Sequence, residues 1–219
     1  MAASVSTKGI KCLPGKNVGS LAYTPEEALR IVGHIIESTN VYFEAICFAF
    51  YVGRRFNEIS DLKWSDLVND RVLVISHGNT ESGNLKNGSD SVHKQYLCDE
   101  AYNLLKRYKA ERPDSEWIFP NKAGNRIFNN RLNENLKKIC GELGITYRSS
   151  HKIRAYAITQ VSSVGNIEST REFAGHTDYR MTQRYINNAI TEANKKTTAA
   201  LNLGIQTISD HHCNKEKTS

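Results

Sequence analysis

The sequence predicts a mainly α-helical α+β domain that contains one small antiparallel β-sheet. Apolar residues recur every three to four positions through most of the chain, which is typical of amphipathic helices. The period changes to two in residues 71–77 and 92–97, as expected for two strands, and the glycine-rich segment 78–91 suits the tip of a long hairpin. The chain has 219 residues, of which 39% are hydrophobic, so it can bury the core of one large domain.

The first helix is predicted from Thr24 to about Ser38. Thr24 suits the N-cap, Pro25 suits the first helical turn, and Glu27 completes a capping box. The preceding residues 1–20 contain glycine, serine and lysine without apolar periodicity, and we interpret them as a leader or linker.

The second helix, residues 41–52, is apolar along almost its whole length and is therefore expected to be buried on all sides. Gly53 interrupts it, and a short helix is expected within RRFNEISDLKW, residues 54–64. The tail after about Leu203 is polar and is expected to be mostly disordered. Beyond the strands, helical periodicity predicts further helices near residues 100–108, 129–143, 151–165, 169–175 and 181–189.

Composition excludes several classes of protein. The longest apolar run, AICFAFYV at 45–52, is too short to cross a membrane, and the N-terminal residues lack the apolar region of a signal peptide. A net charge of +6 is compatible with a polyanionic partner such as nucleic acid. Five cysteines occur without a CxxC pair, which favours reduced thiols over a disulfide framework or a zinc site; they are Cys12, Cys47, Cys98, Cys140 and Cys213.

One set of basic and hydrogen-bonding residues suits chemistry on a phosphodiester. Each of these residues alone is most simply explained as a capping or surface residue, and no metal-ligand spacing such as HExxH is present, so no metal is expected. Together they could bind phosphate oxygens through arginine, protonate a leaving oxygen through lysine, accept a proton through histidine and attack phosphorus through tyrosine. The set comprises Arg54, Arg55, Lys86, His151, Arg154, His176 and Tyr185.

The segments that carry these residues resemble the catalytic domain of the tyrosine recombinases, the phage-integrase family. VGRRFNEISDLKW is similar to the family's first arginine box, which selects Arg55 over Arg54 and makes Glu58 its structural partner. HKIR matches the His-x-x-Arg box, and AGHTDYRMTQRYI matches the Gly-His box with a tyrosine nine residues after the histidine. Lys86 in LKNG matches the family's hairpin lysine, with Lys94 as a competitor. The resemblance runs from about residue 23 to residue 189.

The resemblance implies a mechanism. Tyr185 attacks the scissile phosphate to form a 3′-phosphotyrosyl link and free a 5′-hydroxyl, and a 5′-hydroxyl of the partner strand reverses the step. Arg55, Arg154 and His176 hold the phosphate. Lys86 is the general acid and His151 assists proton transfer. Neither ATP nor a metal nor any other cofactor is expected, since the protein–DNA ester keeps the bond energy.

The resemblance also implies partners and an organisation of the chain. Double-stranded DNA is the expected partner, with contacts from Arg54, Lys94 and Arg184, and four subunits would act on two DNA sites in the integration or excision of a mobile element. The catalytic domain is expected over 21–190. A C-terminal helix that docks on a neighbouring subunit, then a disordered basic tail, are expected over 191–219. A monomer is expected to be possible without DNA, and the location is expected to be cytoplasmic and nucleoid-associated. Because the family usually carries a separate helical DNA-binding domain before this one, the chain is interpreted as a catalytic fragment or a minimal enzyme.

Three alternatives remain open from the sequence. A type IB topoisomerase would use similar chemistry to relax supercoils. A non-catalytic DNA-binding module could place a helix-turn-helix in residues 155–176. A metal-dependent hydrolase could use His151 and His176, although neither histidine has a metal-binding spacing around it.

Overall fold

The computed structural model describes residues 22–69, 71–76, 92–176 and 180–183. Within these ranges the chain forms seven α-helices, a 3-10 turn at Trp64–Asp66 and three β-strands, and residues 180–183 are helical. The helices are α1 (Pro25–Ile35), α2 (Val41–Val52), α3 (Phe56–Ser60), α4 (Asp99–Glu111), α5 (Asn129–Glu142), α6 (Ser150–Val164) and α7 (Ile167–Ala174). The strands are β1 (Leu67–Val68), β2 (Val72–Ser76) and β3 (Val92–Tyr96).

Helix α1 begins with the capping box that its sequence predicts. The hydroxyl of Thr24 accepts a hydrogen bond from the backbone N–H of Glu27, and the Glu27 carboxylate accepts one from the backbone N–H of Thr24. Two N–H groups that the first turn cannot satisfy internally are thereby bonded. The helix ends at Ile35, earlier than predicted, and a turn follows at residues 36–37.

Helix α2 lies at the centre of the domain, as its apolar sequence predicts. Most of its side chains are buried, and it packs against α1, α4, α5 and α6. It ends at Gly53, whose left-handed conformation (φ of 62°) few other residues adopt. A Cβ atom on Gly53 would lie 2.8 Å from the Cβ of Ala157, so glycine also allows α6 to approach this corner.

The three strands form one antiparallel sheet in the order β1-β2-β3. Residues Val72 and Ser76 of β2 pair with Tyr96 and Val92 of β3, which confirms the predicted pair of strands. Strand β1 pairs with β2 and was not predicted, because a strand of two residues is too short to display alternation. The proposed hairpin tip, 78–91, lies outside the described residues.

The helices predicted after the sheet are confirmed where the structure describes them. Helix α7 begins at Ile167, two residues before the predicted start, because the side chain of Asn166 caps it by accepting from the N–H of Ser169. The predicted helix at 181–189 is described only through residue 183, and the segments 1–20 and 191–219 lie outside the described residues. No helix in the described part of the chain has the length and apolar character that a membrane crossing requires.

The capping box supports a test of stability. We expect Thr24→Ala to lower the free energy of unfolding by about 1 kcal/mol, because the first turn of α1 loses its side-chain acceptor. Urea denaturation followed by circular dichroism measures this loss. Thr39→Ala, in the exposed loop before α2, is the matched control and should change stability by less than about 0.5 kcal/mol. Equal effects of the two substitutions would contradict a role for the cap.

Candidate active site

The two adjacent arginines after Gly53 point in different directions. The side chain of Arg55 is 45% exposed, whereas Arg54 as a whole is 1% exposed. The guanidinium of Arg55 donates to Glu58 Oε1 at 2.9 Å, and its backbone N–H donates to Glu58 Oε2 at 3.0 Å. Glu58 is thus the partner of Arg55, as predicted, and it holds a charged group at the surface of this corner.

Arg54 lies inside the domain. Its Nε donates to Gln95 Oε1 at 2.7 Å, and its Nη2 donates to the carbonyl oxygen of Phe173 at 3.0 Å. Burial lowers the pKa of this guanidinium to about 10, so the group remains charged at neutral pH. This position argues against the predicted contact of Arg54 with DNA, because its donors are directed at protein atoms in the interior.

Arg154 projects from α6 towards the same corner and is also buried. It donates to the carbonyl oxygen of Gly53 at 2.9 Å and to the carbonyl oxygen of Ala174, the last residue of α7. The side chain therefore connects the ends of α2 and α7. Such carbonyls have no partner within their own helix, and they favour a nearby cation.

His176 follows directly after the end of α7. Gly175 ends that helix in the left-handed conformation, and His176 as a whole is 8% exposed, with its Nδ1 3.1 Å from the hydroxyl of Thr182. Burial lowers the pKa of His176 to about 4, and the positive charges of three neighbouring arginines act in the same direction. The imidazole is therefore neutral at pH 7 and acts as a hydrogen-bonding group rather than as a cation.

Glu58 supplies negative charge close to these arginines. Burial acts to raise the pKa of its carboxyl, but the charges of Arg54 and Arg154 and the bonds from Arg55 outweigh it, so the pKa lies below its ordinary value. The carboxylate is ionised at neutral pH and partly compensates three guanidinium groups. The structure thus brings Arg54, Arg55, Arg154 and His176 together from three separate parts of the chain.

This arrangement has the character of an anion site. Arginine offers paired N–H donors in the geometry of phosphate oxygens, and the exposed guanidinium of Arg55 opens the site to solvent. The described residues contain no group of three or more histidine, cysteine, aspartate or glutamate side chains that could hold a metal ion.

Comparison with known proteins identifies the family. A family model described as the phage integrase family matches residues 22–192. The chain belongs to that family. It is 30% identical over 165 residues to the tyrosine recombinase XerC of Lactobacillus leichmannii, and to the XerC of Lactobacillus delbrueckii subsp. bulgaricus by the same measure. Each alignment covers 70% of this chain and 55% of the relative, so the chain spans about half the length of these curated relatives.

Solved structures share the fold. XerA recombinase superposes with a TM-score of 0.66 at 21% identity, over 81% of this chain and 65% of that one. The Tn1549 transposon integrase in complex with circular intermediate DNA gives 0.64 at 19% identity, over 80% and 66%. XerH bound to palindromic difH substrate, in a post-cleavage complex, gives 0.68 at 17% identity, over 90% and 59%. The predicted fold class, a mainly helical recombinase catalytic domain with a small antiparallel sheet, is therefore confirmed.

Of the other predicted site residues of this phage-integrase-family domain, two lie on α6 and β3 and three fall outside the described residues. His151 is exposed on the first turn of α6, three residues before Arg154, so the two lie on one face of the helix. Lys94 is exposed on β3, and its neighbour Gln95 is buried beside Arg54. Since successive strand residues point to opposite faces, the side chain of Lys94 points away from Arg54. The other three, Lys86, Arg184 and Tyr185, lie outside the described residues.

Two residues of the family domain's site were missed by sequence reasoning. Gln95 bonds to buried Arg54, and Thr182, which is fully buried, lies against the ring of His176. The alternation of VHKQYL assigns Gln95 to the same face as Leu97, and a polar residue on a buried face signals an internal partner. Thr182 gave no such signal, because threonine is common on polar helix surfaces.

The neutral state of His176 has a consequence for stability. Between pH 6.5 and about 4 the unfolded histidine binds a proton that the folded one excludes, so the folded state loses stability as the pH falls. We expect this loss to be larger in the wild-type protein than in His176→Gln, by about 3 kcal/mol at most. Urea denaturation of both proteins across this pH range measures the difference.

Direct observation of the ring provides the check on that result. In nitrogen NMR spectra of the imidazole, we expect His176 of the family domain to remain neutral until the pH is well below 5. A titration midpoint of the ring near pH 6.5, together with parallel curves of stability against pH for the wild type and His176→Gln, would show that the ring is solvated.

Proposed function

We propose that this chain contains the catalytic domain of a site-specific DNA recombinase, which cleaves and rejoins DNA through a 3′-phosphotyrosyl link at Tyr185. One observation carries the proposal: three guanidinium groups and a neutral imidazole converge at the corner formed by Gly53. A phosphodiester has the charge and the acceptor oxygens that such a site binds. The membership of the phage integrase family and the similarity to XerC support the same function.

Arg55 and Arg154 are proposed to bind the non-bridging oxygens of the scissile phosphate. The hydrogen bond that the guanidinium of Arg55 donates to Glu58 orients this guanidinium before DNA arrives, which lowers the cost of organising the site. Charge on these oxygens grows in the pentacoordinate transition state, so the bonds strengthen as the reaction proceeds.

His176 is proposed to donate a hydrogen bond to the same phosphate. When the hydroxyl of Thr182 donates to Nδ1, the proton of the neutral ring lies on Nε2, where it is available to a phosphate oxygen. His151 is proposed to assist transfer of the phenol proton, because it shares a helix face with Arg154.

Lys86 is proposed to be the general acid on the hairpin between β2 and β3. The alternative, Lys94, is disfavoured because it points to the face of β3 opposite to Gln95 and Arg54. In the proposed reaction, the phenol oxygen of Tyr185 bonds to phosphorus, the bond to the 5′ oxygen breaks, and that oxygen takes a proton from Lys86. Attack by a 5′-hydroxyl reverses these changes, so the reaction needs no external energy source.

Double-stranded DNA is the proposed partner, with Lys94 and Arg184 as further contacts. Solved relatives of the same fold include integrase and recombinase complexes with DNA, and the Tn1549 protein is a transposon integrase. These likenesses support a role in integration or excision of a mobile element, and hence a cytoplasmic location at the nucleoid.

A tetramer on two DNA sites is proposed, in which the segment after residue 189 docks on a neighbouring subunit. Its alanines and leucines suit one apolar helix face. We expect a chain that ends at residue 189 to bind a single DNA site but to form no tetramer on paired sites. Light scattering of both chains on the same DNA tests this expectation, and a tetramer formed by the shortened chain would refute it.

The alternative of a helix-turn-helix module is disfavoured by the packing of α6 and α7. Helix α6 buries one face in the domain, including Arg154, and the exposed positions of α7 include Glu168 and Glu172. Carboxylates on a recognition helix would repel the phosphates on either side of the major groove. Plasmid relaxation distinguishes the topoisomerase alternative, since a topoisomerase relaxes supercoils without requiring a paired site whereas the proposed recombinase requires one.

A trapped covalent adduct tests the proposed function. With nicked suicide duplexes that carry the recombination site, we expect the wild-type protein to form an adduct and Tyr185→Phe to form none. We expect Arg55→Ala to slow adduct formation by about 10²–10³-fold, because one oxyanion donor is lost. Denaturing electrophoresis and mass spectrometry of the linked peptide measure the adduct.

Arg107→Ala is the matched control for that experiment. Arg107 is a partly exposed arginine that donates to the carbonyl oxygen of Ile36, beyond the other end of α2 from Gly53. Its removal should leave the rate within about twofold of wild type. Wild-type protein that binds the site without forming an adduct, or an adduct that persists in Tyr185→Phe, would refute the proposal.

A further inference from the structure

Arg54 is unusual in this domain because a charged side chain occupies the core. It is 1% exposed and is among the largest fully buried side chains of the described residues. Removing a guanidinium from water is costly unless its donors are bonded and its charge is compensated. Glu58 provides compensating charge, as the pKa of its carboxyl shows. A leucine or methionine would fill the same position without this cost, so the directed bonds of Arg54 call for an explanation.

The bonds of Arg54 connect three elements of the domain. Its Nε binds Gln95 in β3, and the amide of Gln95 in turn donates to the carbonyl oxygen of Val52, the last residue of α2, at 2.9 Å. Its Nη2 binds the carbonyl oxygen of Phe173 in the last turn of α7. One guanidinium and one amide therefore fix the positions of α2, β3 and α7 relative to one another.

The hydrogen bonds of Arg54 and Arg154 reach the backbone just before His176. Phe173 and Ala174, two consecutive residues, give their carbonyl oxygens to Arg54 and Arg154 respectively. Gly175 then packs so closely that a Cβ atom would lie 2.9 Å from the ring of His93 and 3.3 Å from Nη1 of Arg54. The backbone that carries His176 is thus held by two guanidiniums and by β3.

We propose that Arg54 is a positioning residue of the active site: through Gln95 and the carbonyl of Phe173 it holds the base of the β2–β3 hairpin and the backbone of His176 in a fixed relation. The proposal rests on the proposed function, in which Lys86 on that hairpin and His176 act on one phosphate. Both groups must reach the same ester, and misplacement by about 1 Å can cost 10²-fold in rate. Arg54 itself touches neither DNA nor the reacting atoms.

The central test separates binding from cleavage in Arg54→Met. Methionine is flexible and apolar, so it fills the space but makes none of the directed bonds. At saturating concentrations of suicide duplex, we expect the single-turnover rate of adduct formation to fall about 10- to 100-fold. The Kd for the same duplex should remain within about threefold of wild type, because Arg54 makes no phosphate contact. Arg54→Lys, which keeps the charge and can make one of the bonds, should recover part of the rate.

Hydrogen exchange supplies a readout that is independent of catalysis. The amides of Gly175 and His176 donate to the carbonyl oxygens of Glu172 and Arg171, so they report on the end of α7. In Arg54→Met we expect these two amides to exchange at least about tenfold faster than in the wild type, whereas the amides of α1 should be unchanged. The exchange measurement decides whether Arg54 holds the backbone, whether or not the wild-type protein forms an adduct. A wild-type protein that forms no adduct would refute the proposed function but not this role of Arg54.

The matched control is Arg112→Met. Arg112 is a largely buried arginine that binds Glu44, eight residues and roughly 12 Å before Val52 along α2. We expect its loss to reduce global stability without changing the cleavage rate at saturating DNA or the exchange at residues 175 and 176. Comparison of the two variants therefore distinguishes a positioning effect from general destabilisation.

Three outcomes would overturn the proposal. The first is wild-type exchange and a wild-type cleavage rate in Arg54→Met. The second is loss of DNA affinity with a normal rate at saturation, which would make Arg54 a DNA contact. The third applies if Arg54→Met does not fold: the double variant Arg54→Met/Gln95→Leu, which leaves no unbonded amide in the core, is then used instead, and wild-type cleavage by the folded double variant would overturn the proposal.

Discussion

Two guanidinium groups inside the domain bind the carbonyl oxygens at the end of α7, and the candidate site depends on this contact. Arg54 reaches that helix end from the connection between α2 and α3, and Arg154 reaches it from α6. The last carbonyls of a helix lack partners and carry partial negative charge, so they are suitable acceptors for buried cations. Helix α7 has only eight residues, and these two contacts fix the position of its C-terminal end, which precedes His176.

The electrostatic balance of the site follows from this packing. Three arginines close together repel one another, and Glu58 offsets part of that repulsion while remaining ionised. The same positive surroundings keep His176 neutral. The site carries net positive charge, since three guanidinium groups face the single carboxylate of Glu58. A bound phosphodiester would supply the missing negative charge.

Much of the fold could be predicted from the sequence, because each element carries a local signal. The capping box of Thr24, the apolar run of α2 and the alternation of β2 and β3 are all contained within short segments. Strand β1 was missed because two residues have no periodicity. Family motifs point to Arg55, Arg154 and His176, which lie together in the structure, and to Arg55 over Arg54 in the doublet after Gly53. The burial of Arg54 was not predicted, since the sequence suggested a contact with DNA for that residue. The interior partners of Arg54 could not be predicted, because the pairing with Gln95 and Phe173 joins residues far apart in the chain.

The early part of the chain is also tied into this architecture. Tyr23 is buried against Phe50, with ring centroids 5.9 Å apart, and its hydroxyl donates to the carbonyl oxygen of Arg148. Helix α1 buries Ile31 and Ile35 in the same core that contains α2. A recombinant fragment or fusion that began after Tyr23 would lose its contact with Phe50, and one that began after α1 would uncover part of the almost entirely apolar helix α2 and favour aggregation. Any shortened version of the protein intended for crystallisation should start upstream of Tyr23.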